Sequence, residues 1–297
     1  LINAYFNVVY VVVKGLFIGI ELFKSHPELN VIFSAKSNSF VKADTNENGY
    51  PTKLHFTNTD QFNFAFDIVD ELGRQQPDKV AMVHVSNDLT ENTYTFRDMK
   101  ERSAQAANYF TSLGIKKGDT VMLVLKRHAE FWFSILGLHK IGAIASMIHP
   151  LSAVGEIEFY LKEVDSCCVV TIDQFYDKFA EVRKNVEVKK LIIASISDEL
   201  GFIKSFVYSK FTESKFTKPQ YGEDTKKWSD FIEAGKLYAG EIKVEKTDKD
   251  PAVILFSGGT TGVTKGILLS NYNFNALAIQ TAIMCNAPVC GKKMLAA

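Results

Sequence analysis

Cysteine and metal-binding patterns are scarce in this 297-residue sequence. Its four cysteines, at positions 167, 168, 285 and 290, are either adjacent or separated by four residues. Neither spacing matches a zinc knuckle or a C-x-x-C redox pair, and the six scattered histidines form no H-E-x-x-H motif. We therefore expect free thiols, a cytoplasmic location and no metal site built by the protein.

An excess of positive charge is also absent. Lysine plus arginine and aspartate plus glutamate each number 34, so the formal net charge is zero. Surfaces that bind nucleic acid are typically basic, and nucleic acid is therefore excluded as an expected partner. Hydrophobic residues make up 46% of the chain, which is ample for a packed globular core.

The chain has no clean apolar run of the length that spans a membrane. Its most apolar stretch, residues 1–23, has about the 20 residues that a span needs, but Lys14 lies near the middle. A central lysine costs about 2.5–3.5 kcal/mol on insertion scales. We predict that 1–23 does not cross a membrane. A buried or partner-packed helix and peripheral association with a membrane surface both remain as interpretations.

A P-loop is missing as well, because the chain contains no Gly-Lys-Ser or Gly-Lys-Thr. Instead, two short apolar runs, 252–256 and 266–269, flank the loop sequence SGGTTGVTK. Both runs predict strands, so this loop joins strand to strand. A surface hairpin turn is the alternative, but such turns mostly close in two to five residues and seldom collect glycines, hydroxyls and a lysine together.

The composition of the loop indicates phosphate binding. Glycines free the backbone so that consecutive N–H groups can converge on an anion. Hydroxyl groups can donate hydrogen bonds to phosphate oxygens, and the lysine supplies a positive charge. The predicted binding residues are Ser257, Gly258, Gly259, Thr260, Thr261, Gly262 and Lys265.

Residues 257–266 resemble the signature [ST]-[STG]-G-T-T-G-x-P-K-G of adenylate-forming (AMP-binding) enzymes. This superfamily includes acyl-CoA synthetases, nonribosomal peptide adenylation domains and luciferases. Gly258 stands where serine is commoner and Thr264 where proline is usual, so the backbone of this loop is less restricted. Weaker similarity extends from about residue 64 to the C-terminus and is most like fatty acyl-CoA synthetases.

The resemblance implies an AMP-forming acid–thiol ligase. Such a ligase activates a small carboxylic acid, here a fatty acid, to acyl-AMP and then acyl-CoA, and uses ATP, Mg²⁺ and CoA. It also implies that this chain is an N-terminal fragment whose catalytic residues are expected after Ala297, so the isolated fragment is predicted to be inactive. The alternatives are an enzyme that delivers acyl groups to a carrier protein, and a non-catalytic fragment or interaction module.

Alternating strand and helix patterns predict an α/β fold. Strands at 120–125, 143–148, 167–172 and 188–195 alternate with helices at 129–140, 152–164 and 174–185, which favours a parallel sheet with flanking helices. The phosphate-loop hairpin is added to this sheet. The resemblance implies that the whole is part of the large N-terminal domain of an adenylate-forming enzyme.

Local signals predict where several elements begin and end. Thr95, Ser152 and Ser270 are expected to cap helices, and Gly142 to end one. A further amphipathic helix is expected at 225–238. His149 follows a strand at the sheet edge where ligands bind, but a residue in such a place more often belongs to a turn.

The chain is predicted to consist of two regions. Residues 1–60 are predicted to hold the apolar N-terminal helix and a polar linker or arm, because 30–60 is polar and rich in turn-forming residues. Residues 61–297 are predicted to form a partial AMP-binding domain, truncated at its C-terminal end.

Overall fold

The computed structural model describes residues 41–48, 51–56, 63–85, 91–126, 128–195, 216–236, 242, 244, 248–257 and 264–284. The predictions for residues 1–40, including those on membrane association, lie outside these residues. None of the helices that the structure describes has the length and apolar character needed to cross a membrane.

Two antiparallel hairpins precede the main sheet. The first joins β1 (Val41–Thr45) to β2 (Pro51–Phe56), so the stretch expected to be a linker or arm contains regular structure. The second joins β3 (Val80–Val85) to β4 (Glu91–Thr95). Between the hairpins, a π-helical segment, Ala65–Asp70, continues as α1, Glu71–Gln75, and ends before Pro77.

Seven strands form the central sheet. They are β5 (Thr120–Val124), β6 (Ile144–Met147), β7 (Cys168–Ile172), β8 (Lys190–Ala194), β9 (Thr225–Lys227), β10 (Pro251–Phe256) and β11 (Gly266–Ser270). Their spatial order is β11-β10-β6-β5-β7-β8-β9. The pairs from β10 to β9 are parallel, and β11 runs antiparallel to β10. The predicted parallel sheet with an added hairpin is confirmed.

Helices precede, connect and follow the strands of the central sheet. They are α2 (Phe96–Ser112), α3 (Ala129–Ile141), α4 (Val154–Glu163), α5 (Tyr176–Val182), α6 (Trp228–Lys236) and α7 (Asn271–Met284), and a 3₁₀ turn, Asp173–Phe175, precedes α5. In the sheet, β6 lies on one side of β5 and β7 on the other, so the connection from β5 to β6 and the connection from β6 to β7 run in opposite directions across the sheet. Because such crossovers are right-handed, α3 and α4 cover opposite faces of the sheet.

The core lies between the sheet and these helices. Every residue of β5, β6 and β7 is buried, as continuous apolar strands covered on both faces should be. The helices α2 and α3 pack closely at Gly137, where an added β-carbon would lie 3.0 Å from Ala106 Cβ and 3.0 Å from Ala107 N. Small residues therefore let these two helices approach.

Several predicted boundaries are confirmed. Thr95 caps α2: its Oγ1 accepts a hydrogen bond from the Asp98 N–H at 3.2 Å, and Asp98 Oδ2 accepts one from the Thr95 N–H at 2.7 Å. Gly142 ends α3 in the left-handed conformation, with φ of 73°. Ser270 caps α7, since its Oγ accepts from the Asn273 N–H at 3.1 Å.

Two predictions are wrong in detail. Ser152 does not cap α4; the N-cap is Ala153, whose N–H donates to Glu156 Oε2 at 2.9 Å, while the Ser152 carbonyl accepts from Lys178 Nζ at 2.8 Å. The helix expected from residue 225 begins instead at Trp228. The three residues before it form β9, because they pair with β8 at the sheet edge.

Candidate phosphate-binding site

The predicted phosphate loop leaves the sheet at the carboxyl end of β10. All of β10 after Pro251 is buried, and it pairs in parallel with β6 through Val253 and Ala145. The next strand, β11, pairs with β10 so that Phe256 lies opposite Gly266. The loop is therefore held between a buried strand and the outermost strand of the sheet.

Two of the predicted site residues form the neck of the loop. The Ser257 N–H donates to the Lys265 carbonyl at 2.9 Å, and Ser257 Oγ lies 3.4 Å from the same oxygen. The Lys265 side chain is exposed. The neck thus brings one hydroxyl and one lysine together, which is the pairing of hydrogen-bond donor and point charge that suits a phosphate group.

The remaining predicted residues of the loop are not among those that the structure describes. They are Gly258, Gly259, Thr260, Thr261 and Gly262. Their part in binding stays a prediction from the sequence.

The sheet topology places the loop where ligands bind in α/β folds. The connection that follows β6 runs to one side of the sheet, towards β7, and the connection that follows β10 runs to the other, towards β11. Adjacent strands with diverging connections open a crevice at their carboxyl ends. The Ser257–Lys265 neck lies at this edge, beside the end of β6.

His149 follows β6 at the same edge, and its side chain takes part in a turn. It is exposed, and its Nδ1 accepts a hydrogen bond from the Leu151 N–H at 3.2 Å. This arrangement agrees with the turn interpretation.

The start of α7 is tied to the strand that carries the loop. The Asn271 N–H donates to the Asp250 carbonyl, and the Tyr272 N–H to the Asp248 carbonyl, each at 2.8 Å. The Asp250 carboxylate also pairs with Lys117 Nζ at 2.9 Å. These contacts fix the base of the hairpin from two directions.

Sequence reasoning missed the aromatic support beneath the loop. Phe256, the last residue of β10, packs against Tyr160 of α4, with ring centroids 4.2 Å apart. Both side chains are buried. Helical spacing alone marks Tyr160 as a core residue, but it does not show which strand end the ring meets.

A cavity of about 450 Å³ lies at the opposite, amino-terminal edge of the sheet. Asp119, Cys167 and Lys190 line it at the starts of three parallel strands. Burial, with a smaller effect from nearby Asp119, raises the pKa of the Cys167 thiol to about 11. A thiol with such a pKa stays protonated at neutral pH, so Cys167 is a poor nucleophile and a poor metal ligand there.

Comparison with known proteins identifies the family. The sequence model of the family described as AMP-binding enzyme matches residues 69–295. This range is most of the chain and includes the loop at 257–265. The chain belongs to the AMP-binding enzyme family. Its seven-stranded sheet with flanking helices is the fold of the N-terminal domains of adenylate-forming enzymes. The resemblance noted from the loop sequence is confirmed.

Two curated relatives of this chain carry names of acid–CoA ligases. A long-chain-fatty-acid–CoA ligase of Haemophilus influenzae is 28% identical over 225 residues, and a crotonobetaine/carnitine–CoA ligase of Escherichia coli is 29% identical over 216 residues. Each alignment covers 73% of this chain and 38% of the relative. The chain thus spans little more than a third of the length of these relatives.

A solved structure shows the same fold. Acetoacetyl-CoA synthetase from Streptomyces lividans matches with a TM-score of 0.62 and 18% identity, over 76% of this chain and 33% of the synthetase. The names of these proteins are those of CoA ligases and of a CoA synthetase. Their names span a long-chain fatty acid, carnitine and acetoacetate, so membership in the family does not fix the acid.

Proposed function

We propose that this chain is the nucleotide-binding part of an AMP-forming acid–thiol ligase. In the proposed reaction a carboxylate oxygen attacks the α-phosphorus of ATP and pyrophosphate leaves, which gives acyl-AMP. The CoA thiol then attacks the acyl carbon, and AMP leaves with the formation of acyl-CoA. The observation that supports this best is the Ser257–Lys265 neck at the carboxyl end of β10, in a chain of the AMP-binding family.

Each residue of the loop has a proposed task. The exposed ammonium of Lys265 would balance negative charge on the phosphates, and Ser257, Thr260 and Thr261 would donate hydrogen bonds to phosphate oxygens. Gly258, Gly259 and Gly262 would leave backbone N–H groups free to face the nucleotide. Mg²⁺ would neutralise charge on the phosphate oxygens, and we assign it no ligand in this chain.

A fatty acid is the proposed acyl donor. It is supported by the likeness to fatty acyl-CoA synthetases and by the long-chain-fatty-acid–CoA ligase among the relatives. A panel of fatty acids of several chain lengths, carnitine and aromatic acids would test it. Preference for carnitine or for an aromatic acid would replace the fatty acid as donor and leave the ligase chemistry intact.

Two features of the chain beyond the loop are also proposed. We expect residues 61–297 to act as the AMP-binding part and 1–60 as a separate N-terminal region, since the family match begins at residue 69. In a cytoplasmic enzyme, residues 1–23 would form a helix that is buried or packed against a partner, or that associates peripherally with a membrane surface, and would not span the membrane. Carbonate washing of membranes is the test, and retention of the protein in the pellet would instead indicate a span.

Lys265→Ala tests the proposed function. In the full-length ligase, loss of a charge-assisted contact of about 1.5–3 kcal/mol should lower kcat/KM for MgATP about 10- to 150-fold. Carboxylate-dependent ATP–pyrophosphate exchange measures this. The matched control is Lys236→Ala, which removes an exposed lysine of α6 paired only at the surface with Glu233. If Lys265→Ala left the rate of ATP–pyrophosphate exchange unchanged, the loop would instead be interpreted as a surface hairpin.

The 297-residue chain by itself should form no acyl-CoA. It spans 38% of the length of its curated relatives, and positioning of both substrates contributes about 7–11 kcal/mol to such reactions. The purified chain would be supplied with MgATP, CoA and fatty acids. Sustained thioester formation would show that this part of the protein is sufficient for catalysis.

A further inference from the structure

An aromatic contact supports the first residue of the phosphate loop from below. The Phe256 side chain, 1% exposed, immediately precedes Ser257 in the chain. Its ring lies at 35° to the ring of Tyr160, which is 8% exposed, with 4.2 Å between the centroids. Closely packed aromatic pairs of this kind contribute to stability beyond the area they bury.

The same ring also lies beside the far end of the neck. Gly266 pairs with Phe256 across the two strands, and a β-carbon built on Gly266 would lie 3.4 Å from Phe256 Cε1. The Phe256 ring therefore rests against the bare backbone of Gly266, the residue after Lys265. A shift of the ring would disturb both sides of the neck together.

Helix α4, which carries Tyr160, is held in place independently of the loop. Lys178 Nζ donates to the Ser152 carbonyl at 2.8 Å, just before the helix begins. Asn185 Nδ2 donates to Glu158 Oε1 at 2.9 Å from beyond the end of α5. Tyr160 thus presents a fixed surface to Phe256.

From these contacts we infer that Tyr160 is a positioning residue for the phosphate loop. It fixes the Phe256 ring and, through it, the backbone of Ser257 and Lys265 at the neck. Tyr160 touches neither nucleotide nor acid in this role. The inference adds a residue to the proposed nucleotide site and rests on the proposed function only for the ligand that the loop receives.

Hydrogen–deuterium exchange on the 297-residue chain, with and without MgATP, tests this inference. Tyr160→Leu keeps an apolar side chain but removes the flat ring, and should speed exchange of the peptide 256–266 about tenfold. Tyr160→Phe keeps the ring and should behave as the parent chain does. Tyr109→Leu is the matched control, because Tyr109 packs on Phe231 at 4.5 Å, a contact between α2 and α6 away from the loop.

A purely structural role would affect the two leucine variants alike. We expect Tyr109→Leu to lower thermal stability as Tyr160→Leu does, while its 256–266 peptide exchanges at the parent rate. In the full-length ligase, Tyr160→Leu should raise KM for MgATP more than KM for the acid. Equal loop exchange in Tyr160→Leu and the parent, or equal acceleration in Tyr109→Leu, would overturn the inference.

Hydrogen–deuterium exchange measured with MgATP distinguishes failure of this inference from failure of the proposed function. If MgATP slows exchange of the loop in the parent chain and less so in Tyr160→Leu, both are supported. If, in the full-length ligase, MgATP protects the loop of no variant while Tyr160→Leu still exchanges faster, the proposed ligand is wrong and the positioning role stands.

Discussion

A buried ion pair joins the π-helical segment to α3, and its removal makes the sharpest prediction on stability. Lys140 Nζ lies 2.7 Å from Asp70 Oδ1, with side chains 1% and 9% exposed. The ammonium also donates to the Lys100 carbonyl at 3.4 Å and lies 5.6 Å from the centroid of the Phe66 ring. Burial raises the pKa of Asp70 and lowers the pKa of Lys140, and their mutual attraction opposes both changes.

Removing one partner leaves the other charge buried. In Asp70→Leu the buried Lys140 ammonium can become neutral by losing its proton. At pH 7 this deprotonation costs about 4.6 kcal/mol for a lysine with an ordinary pKa of about 10.4. In Lys140→Met the Asp70 carboxylate can gain a proton at a cost of about 4.2 kcal/mol from a pKa of about 3.9. We therefore expect each single variant to lose about 3–4.5 kcal/mol of unfolding free energy at pH 7.

The double variant should behave differently. Asp70→Leu combined with Lys140→Met leaves no charge in the site, and such replacements of buried pairs are often neutral or stabilising by about 1–4 kcal/mol. The double-mutant cycle should therefore give a coupling energy of several kcal/mol between the two positions.

The pH dependence has opposite signs in the two single variants. In Asp70→Leu the folded protein binds fewer protons at Lys140 than the unfolded chain does, so stability should rise as the pH increases from 7 towards 10. In Lys140→Met the folded protein binds more protons at Asp70, so stability should rise as the pH falls from 7 towards 4.

Urea unfolding followed by the fluorescence of the two tryptophans measures these free energies. The control is Arg97→Ala, which breaks an exposed pair with Asp78 and should cost less than about 1 kcal/mol. Single variants as stable as this control, or a double variant less stable than both singles, would refute the argument from buried charge.

Three further predictions concern packing, thiol reactivity and the loop. Gly235→Ala should lower stability by about 1–3 kcal/mol, because its β-carbon would lie 2.2 Å from the Gln105 carbonyl oxygen; an unchanged melting temperature would contradict this. Cys167 should react slowly with iodoacetamide at pH 7 and faster as the pH approaches 11, and rapid labelling at pH 7, measured by mass spectrometry, would be inconsistent with its raised pKa. Gly262→Val should lower the rate of ATP–pyrophosphate exchange more than Ser257→Ala does, because a β-branched residue resists φ > 0 and fills space meant for phosphate. Equal exchange rates in the two folded variants would show that Gly262 serves only as a spacer in the loop.

Much of the fold could be predicted because local signals and tertiary structure agree. The apolar runs of β5 to β8 are continuous, as strands covered on both faces require, and the intervening helices have clear ends. Thr95 and Gly142 act as predicted because capping and left-handed φ depend on residues close in sequence.

Features set by distant parts of the chain could not be predicted in the same way. The three residues of β9 form a strand only because β8 offers a free edge, and their own sequence, Thr-Lys-Lys, carries no strand pattern. Ser152 and Ala153 are adjacent, and the helix begins after Ala153, whose N–H donates to Glu156 Oε2. At the candidate site, the loop residues were found from composition, whereas the contact of Tyr160 with Phe256 depends on how α4 crosses the sheet.

The order of the strands also governs when the site can assemble during synthesis. The neighbour of β6 on one side is β5, made shortly before it, but its neighbour on the other side is β10, made more than 100 residues later. At the usual rate of 5–20 residues per second, that edge of β6 waits for about 5–20 s on the ribosome. During this interval a row of backbone hydrogen-bonding groups is open to other chains. The strand that carries the phosphate loop pairs with this edge of β6, so the site and the closure of that edge are completed in the same step of synthesis.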